Sequence, residues 1–275
     1  MVEDKRQVTS LSKSFAHPPH RLVKQNKDKY FFGNNYQMHY ICRYRYNESY
    51  FMEKVIYHGS RKIIERPEFG AGNPNNDYGL GFYCTENPEL AKEWASSSGR
   101  DGYANAYRIE LEGMSVCNLS REHNILNWLA VLLENRTFDL TAGFAAAARD
   151  YVIANFLPDY KGYDIIIGYR ADDSYFSFAK DFLNNSISLE TLSEAMRLGE
   201  LGEQIVMKSE RAFRAVRFVD AELVRNEIYY PKKVGRDSAA REEYWAKRVA
   251  YDPLKGAYML DIIREQWRND DERLQ

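Results

Sequence analysis

Apolar and polar positions divide this chain into short runs with strand character and longer stretches with helical spacing. Residues 55–58 (VIYH) and 82–85 (FYCT) are brief apolar runs separated by a loop rich in Gly, Asn and Pro, GAGNPNNDYGLG, the composition that punctuates strands. A helix is expected next: Thr85 is placed to cap it, Pro88 suits its first turn, and Leu90, Ala91, Trp94 and Ala95 recur at helical intervals. Residues 106–111 (AYRIEL) read as a strand. Between 120 and 156, ILNWLAVLL and FAAAARDYVIANF repeat apolar residues at i, i+3 and i+4 and predict helices. YDIIIGY (163–169) reads as a buried strand, ADDSYFSFAKDFL (171–183) and SLETLSEAMRL (188–198) as helices. EQIVMK (203–208), FRAVRFV (213–219) and AELV (221–224) return to strand. Strands and helices mix without strict alternation, which favours an α+β fold over a doubly wound parallel sheet.

The two ends differ from this centre. Residues 1–29 carry seven Lys/Arg against three Asp/Glu, a net charge of +4, with few large apolar residues. They read as a solvated basic arm, or as a recognition tail. From Tyr30 onward, alternating aromatic and polar positions around Tyr40, Cys42, Tyr44 and Tyr46 predict one or two strands, a hairpin leading into the core. The expected globular domain covers 30–230. Residues 231–275, with ten basic and nine acidic residues spaced by Tyr244, Trp245, Leu260, Ile263 and Trp267, predict one or two packing helices as a C-terminal extension.

Composition narrows the classes of function. Of 275 residues, 44% are hydrophobic and 14% aromatic, enough for a sizeable core and unlike a disordered chain. The 38 Lys/Arg nearly balance 40 Asp/Glu, so no overall field exists to hold a polyanion. No apolar run approaches the ~20 residues of a membrane span, and no membrane partner is expected. The cysteines Cys42, Cys84 and Cys117 are odd in number and scattered, which fits neither a disulfide framework nor a zinc ribbon and points to a reducing compartment. The first residues lack the apolar segment of a secretory signal. The expected location is cytoplasmic, with delivery from the producing cell by a route that needs no signal peptide as the alternative.

Familiar phosphate and metal motifs are missing. Gly79-Leu80-Gly81 lacks the third glycine of a dinucleotide fingerprint and precedes its strand, and GSRKI is no Walker loop. His17, His20, His39, His58 and His123 form no HExxH or Cys/His set, so no metal is expected. His58 stands apart because it ends an apolar strand and is followed by Gly59-Ser60. A glycine there lets a flat ligand approach the backbone, whose N–H and C=O can satisfy a carboxamide.

Tyr57-His58-Gly59-Ser60, then Tyr78-Gly79-Leu80-Gly81-Phe82-Tyr83, then Trp94, together resemble the core of ADP-ribosyltransferases of the His-Tyr-Glu branch, that of diphtheria toxin and the poly-ADP-ribose polymerases. The chain is still more similar to an uncharacterised bacterial family of domains that open with YHGS and continue with NxD[FY]GxGFYxT, here Asn75 to Thr85, and a later stretch matched by Gly162 to Asp173. The resemblance covers about residues 54–220 and implies a split β-sheet core with flanking helices. It implies NAD as co-substrate, with His58 on the ribose hydroxyls, Gly59 and Ser60 on the carboxamide, and Tyr78, Tyr83 and Trp94 around the nicotinamide. Tyr83 would be the triad tyrosine.

The third triad member should open a late strand as Glu-x-Ile-Val, which Glu203-Gln204-Ile205-Val206 matches. Relatives in the bacterial family often keep the glutamine. Successive strand side chains point to opposite faces, so one of Glu203 and Gln204 faces the pocket, and Glu203 is the expected catalytic residue. Asp172 and Asp173 read either as a helix-capping pair or as contacts for acceptor or ligand. The implied activity is transfer of ADP-ribose from NAD to a macromolecular acceptor, protein rather than nucleic acid, by a bacterial toxin or effector with a neutralising antitoxin or chaperone as partner. Hydrolysis of NAD is the alternative within the same chemistry. An inactive module binding NAD or a partner is the alternative outside it, and an inward Gln204 favours that one.

Overall fold

A computed structural model describes residues 53–140, 143–171, 173–198, 202–250 and 255–274. The basic arm, most of the tyrosine-rich hairpin, Cys42 and Asp172 lie outside the described residues. The fold is α+β, with two sheets among the described residues. The first is antiparallel with strand order β1 (Glu53–Ser60), β3 (Gly102–Glu110), β7 (Val216–Val224). The second runs β2 (Phe82–Cys84), β6 (Glu203–Met207), β5 (Ile165–Tyr169), β4 (Val116–Asn118), with only the β4/β5 pair parallel.

The helices are α1 (Pro88–Ala95), α2 (Ile125–Asn135), α3 (Phe144–Phe156), α4 (Asp173–Leu183), α5 (Leu189–Ala195), α6 (Glu210–Ala215), α7 (Asn226–Ala250) and α8 (Met259–Arg264). None of them is long and apolar enough to cross a membrane. α2 is buried on almost every face, as an all-apolar helix must be. Asn124 caps it, and the Asn127 side chain answers the Asn124 N–H at 3.0 Å. Around α2, the helices α3, α4, α5 and α8 close the larger core against one face of the second sheet. A smaller core between the sheets takes Ile56, Phe82, Tyr107, Ile165, Ile205 and Met207. β6 separates the two, with Val206 in the first and Ile205 and Met207 in the second, which explains the unbroken apolar run Ile205-Val206-Met207.

Three boundaries differ from expectation. Asn87, not Thr85, caps α1, its Oδ1 accepting from the N–H groups of Glu89 (2.9 Å) and Leu90 (3.3 Å). Thr85 is instead bridged to Tyr57 by a pair of backbone bonds of 2.8 and 3.0 Å. Phe213 to Ala215 finish α6, whose cap is Ser209, and the last long strand begins at Val216. α7 starts at Asn226 and runs through Pro231. Asp101 holds its start, accepting from the Asn226 N–H at 2.9 Å, so 231–275 continues an element of the main body.

Candidate functional site

Among the described residues the two sheets meet through one bridge, Tyr57 to Thr85, and then part. Backbone groups alternate in direction along a strand. With the N–H and C=O of Tyr57 aimed at Thr85, those of Gly59 point to the same edge, past the last bridge, opposite Tyr83. The Tyr83 carbonyl, which a continuing ladder would pair with Gly59, accepts from His58 Nδ1 at 2.6 Å instead. The His58 ring thus wedges the strands apart and leaves the backbone edge of Gly59 on the opening.

A cavity of about 180 Å³ occupies this opening, lined by His58, Gly59, Asn76, Asp77, Tyr83, Trp94, Arg136, Arg170, Ala171 and Gln204. A recess of about 320 Å³ adjoins it through His58, Asn76 and Tyr83 and continues past Lys62, Ile64, Arg66 and Pro67. Because a carbonyl only accepts, His58 Nδ1 carries the hydrogen and Nε2 keeps its lone pair. Burial lowers the His58 pKa from its ordinary 6.5, against the smaller opposing effect of the Tyr83 carbonyl. The ring leans on Phe82 with centroids 4.4 Å apart.

The loop before β2 holds Tyr83 from the other end. Its hydroxyl donates to the Gly79 carbonyl at 2.5 Å and accepts from the Tyr78 N–H at 3.1 Å. Gly79 sits at φ +72°, a conformation open to glycine. Burial raises the pKa of Tyr83 and keeps the phenol neutral.

Asp77, only 4% exposed, gathers the rest. Its Oδ2 accepts from the Ala171 N–H at 3.0 Å and from Gln204 Nε2 at 2.8 Å, and its Oδ1 from Arg136 at 3.2 Å. Burial raises the Asp77 pKa, and the Ala171, Gln204 and Arg136 partners oppose it. The guanidinium of Arg136 also lies 4.2 Å from the Phe176 ring centroid, and that of Arg170 lies 4.3 Å from Trp94.

The expected site residues are therefore brought together only in part. His58, Gly59, Tyr83, Trp94 and Gln204 line one cavity. Glu203 does not. Its carboxylate accepts from Ser120 Oγ and faces a separate depression of about 210 Å³ with Lys54, Glu86 and Arg121. Period two fixes this: Glu203 shares a strand face with Ile205 and Met207 in the inter-sheet core, and Gln204 shares the other with Val206. Ser60 turns elsewhere, its hydroxyl donating to the Lys62 carbonyl at 2.7 Å and accepting from Asn105 at 2.9 Å. Tyr78 is a core residue, its hydroxyl between the Tyr169 carbonyl and Trp128 Nε1.

The absence of a Cβ at Gly59 has a packing reason as well. An added methyl would strike the Ala91 carbonyl, stand 2.6 Å from Ala95 N and 2.9 Å from Trp94 Cβ, so the glycine lets α1 bring Trp94 to the cavity. The Trp94 Nε1 is buried with no hydrogen-bond partner among the described residues. Asp77, Arg136 and Arg170 escaped the sequence reading. Asp77 lay inside the quoted motif with no role, Arg170 directly follows the IIIGY strand, and nothing local marks Arg136.

A family model described as a protein of unknown function (DUF3990) matches residues 54–218, more than half of the chain. The chain belongs to that family. The match holds both strands that part at His58 and Tyr83, the Asp77 loop and β6, so the whole cavity lies within the DUF3990 region. No curated protein and no solved structure matches the chain.

Proposed function

We propose that this DUF3990 protein is an NAD-dependent ADP-ribosyltransferase acting on a macromolecular acceptor, as a bacterial toxin or effector. The observation that carries this reading is the backbone edge of Gly59, turned to a cavity flanked by His58, Tyr83 and Trp94. A carboxamide needs one donor and one acceptor side by side, which that edge offers, and an aromatic wall favours a cationic ring. The adjoining recess, with Lys62 and Arg66 among its residues, suits the remaining, anionic part of a dinucleotide.

In this reading nicotinamide leaves with the electrons of its glycosidic bond and becomes neutral, and ribose C1′ acquires oxocarbenium character. An acceptor nucleophile then bonds to C1′ and gives up its proton to solvent. His58 Nε2 accepts from a ribose hydroxyl, and Asp77 is the one acidic side chain among those lining the cavity, where a carboxylate counts strongly.

A second reading rests on Gln204. With an amide facing the cavity and Glu203 away from it, the fold would serve as a module that binds NAD or a partner without turnover. Incubation with NAD labelled in its adenylate half, with and without bacterial and host lysates, separates the two. Label on protein is the expected result, and Glu203→Gln should retain it. Free ADP-ribose alone would indicate hydrolysis, binding without turnover would indicate the module, and no NAD binding would overturn both.

A further inference from the structure

Gln204 is buried, and among the described residues its side chain makes one hydrogen bond, the donation from Nε2 to Asp77 Oδ2 at 2.8 Å. An amide has two ends of opposite polarity, and nothing in the shape of a glutamine fixes which end faces which way. Here the neighbour decides. An ionised carboxylate only accepts, so the nitrogen must turn to Asp77 and the oxygen must turn away from it. The carbonyl oxygen meets no donor among the described residues, and Gln204 lines the cavity of His58 and Tyr83.

We propose that Asp77 is a positioning residue that sets the polarity of the Gln204 amide, presenting Oε1 as a hydrogen-bond acceptor for a ribose hydroxyl of the bound dinucleotide. This rests on the NAD-binding reading above. Asp77 is itself fixed by the Ala171 N–H and by Arg136, so the orientation is set before a ligand arrives. A carboxylate hydrogen-bonded to the amide N–H also polarises the amide and makes its oxygen a stronger acceptor. The pair thereby directs a polarised acceptor oxygen at the sugar through two side chains.

The test uses the full chain and NAD itself. Asp77→Asn removes the rule that fixes the amide, since the introduced carboxamide can offer Gln204 either a donor or an acceptor. NAD affinity should fall about tenfold, the effect of one good hydrogen bond. Asp77→Asn/Gln204→Glu exchanges amide and carboxylate across the same contact, keeps net charge, and puts an acceptor back on the cavity. It should return affinity to within about threefold of the unaltered chain. A purely structural tie would be restored by the same exchange, so urea midpoints are measured alongside: binding that merely tracks the midpoint across the variants overturns the proposal. If Asp77→Asn alone does not fold, the double variant is compared directly with the unaltered chain, and failure of the folded double variant to bind overturns the proposal. Equal NAD affinity for the unaltered chain and Asp77→Asn overturns it too. An unaltered chain that binds no NAD overturns the reading beneath it, which the first measurement reveals before any variant is made.

Discussion

His58 is the residue through which pH should act on the cavity. Its folded pKa lies below the ordinary 6.5 because burial penalises the imidazolium. Between the two values the unfolded chain binds more protons than the folded one, so this group adds stability as pH rises through the window and withdraws it as pH falls below 6.5. The same proton would occupy Nε2, the lone pair assigned to a ribose hydroxyl. NAD affinity should therefore be flat from neutral pH down to about 6.5 and weaken only below it, and His58→Ala should remove that limb along with most of the binding. An acidic limb centred above 6.5 in a titration of the dissociation constant would rule out this role. At this scale the sequence was legible for His58, Gly59, Tyr83 and Trp94, because a histidine closing an apolar strand before glycine is a local pattern. Asp77 and Gln204 were harder, since their meaning depends on a contact spanning 127 positions of the chain. The choice between Glu203 and Gln204 needed knowledge of which core each face of β6 enters.

α1 and β1 form the unit that places both walls of the cavity. The helix packs directly on Gly59, and its other side is held by Arg236 of α7, whose Nε and Nη2 reach the buried Glu93 carboxylate at 2.9 and 2.8 Å. Neither contact has slack. Gly59→Ala would drive a methyl into the backbone of Ala91 and Ala95, and backbone cannot move aside as a side chain can. A loss of about 1–3 kcal/mol is expected from overpacking of this kind, together with weaker NAD binding as Trp94 shifts. Urea unfolding checks the first part, and an unchanged midpoint would show that α1 is free to retreat. Element types were readable from periodicity wherever one period dominated, as in α2 and β5. Boundaries were lost where capping decides: Asn87 outcompetes Thr85 because Thr85 is engaged with β1, and Ser209 extends a helical turn into a stretch that reads as strand.

Across the whole molecule, the family match ends at residue 218, inside β7, yet the core does not end there. Ala240 and Tyr244 of α7 and Met259 and Ile262 of α8, with Trp267 beyond, are buried in the same cluster as α2. The Tyr244 hydroxyl donates to Asp181 of α4 at 2.6 Å, and Asn127 at the start of α2 donates to Asn269 at 2.7 Å. The C-terminal segment, expected from its sequence as one or two packing helices in an extension, forms one wall of the main core, and its few apolar points are the ones that matter. A chain ending at Ala250 would expose the partners of Met259, Ile262 and Trp267. Burying a large side chain contributes about 1.5–3 kcal/mol, so the loss of three is roughly 4.5–9 kcal/mol, comparable to the ~5–15 kcal/mol that holds a typical domain together. The shortened chain should be unfolded or close to it at 25 °C by circular dichroism, with NAD binding lost in parallel although no residue of the cavity is removed. A shortened chain that unfolds at the same urea concentration as the full one would mean that α8 covers the core without stabilising it.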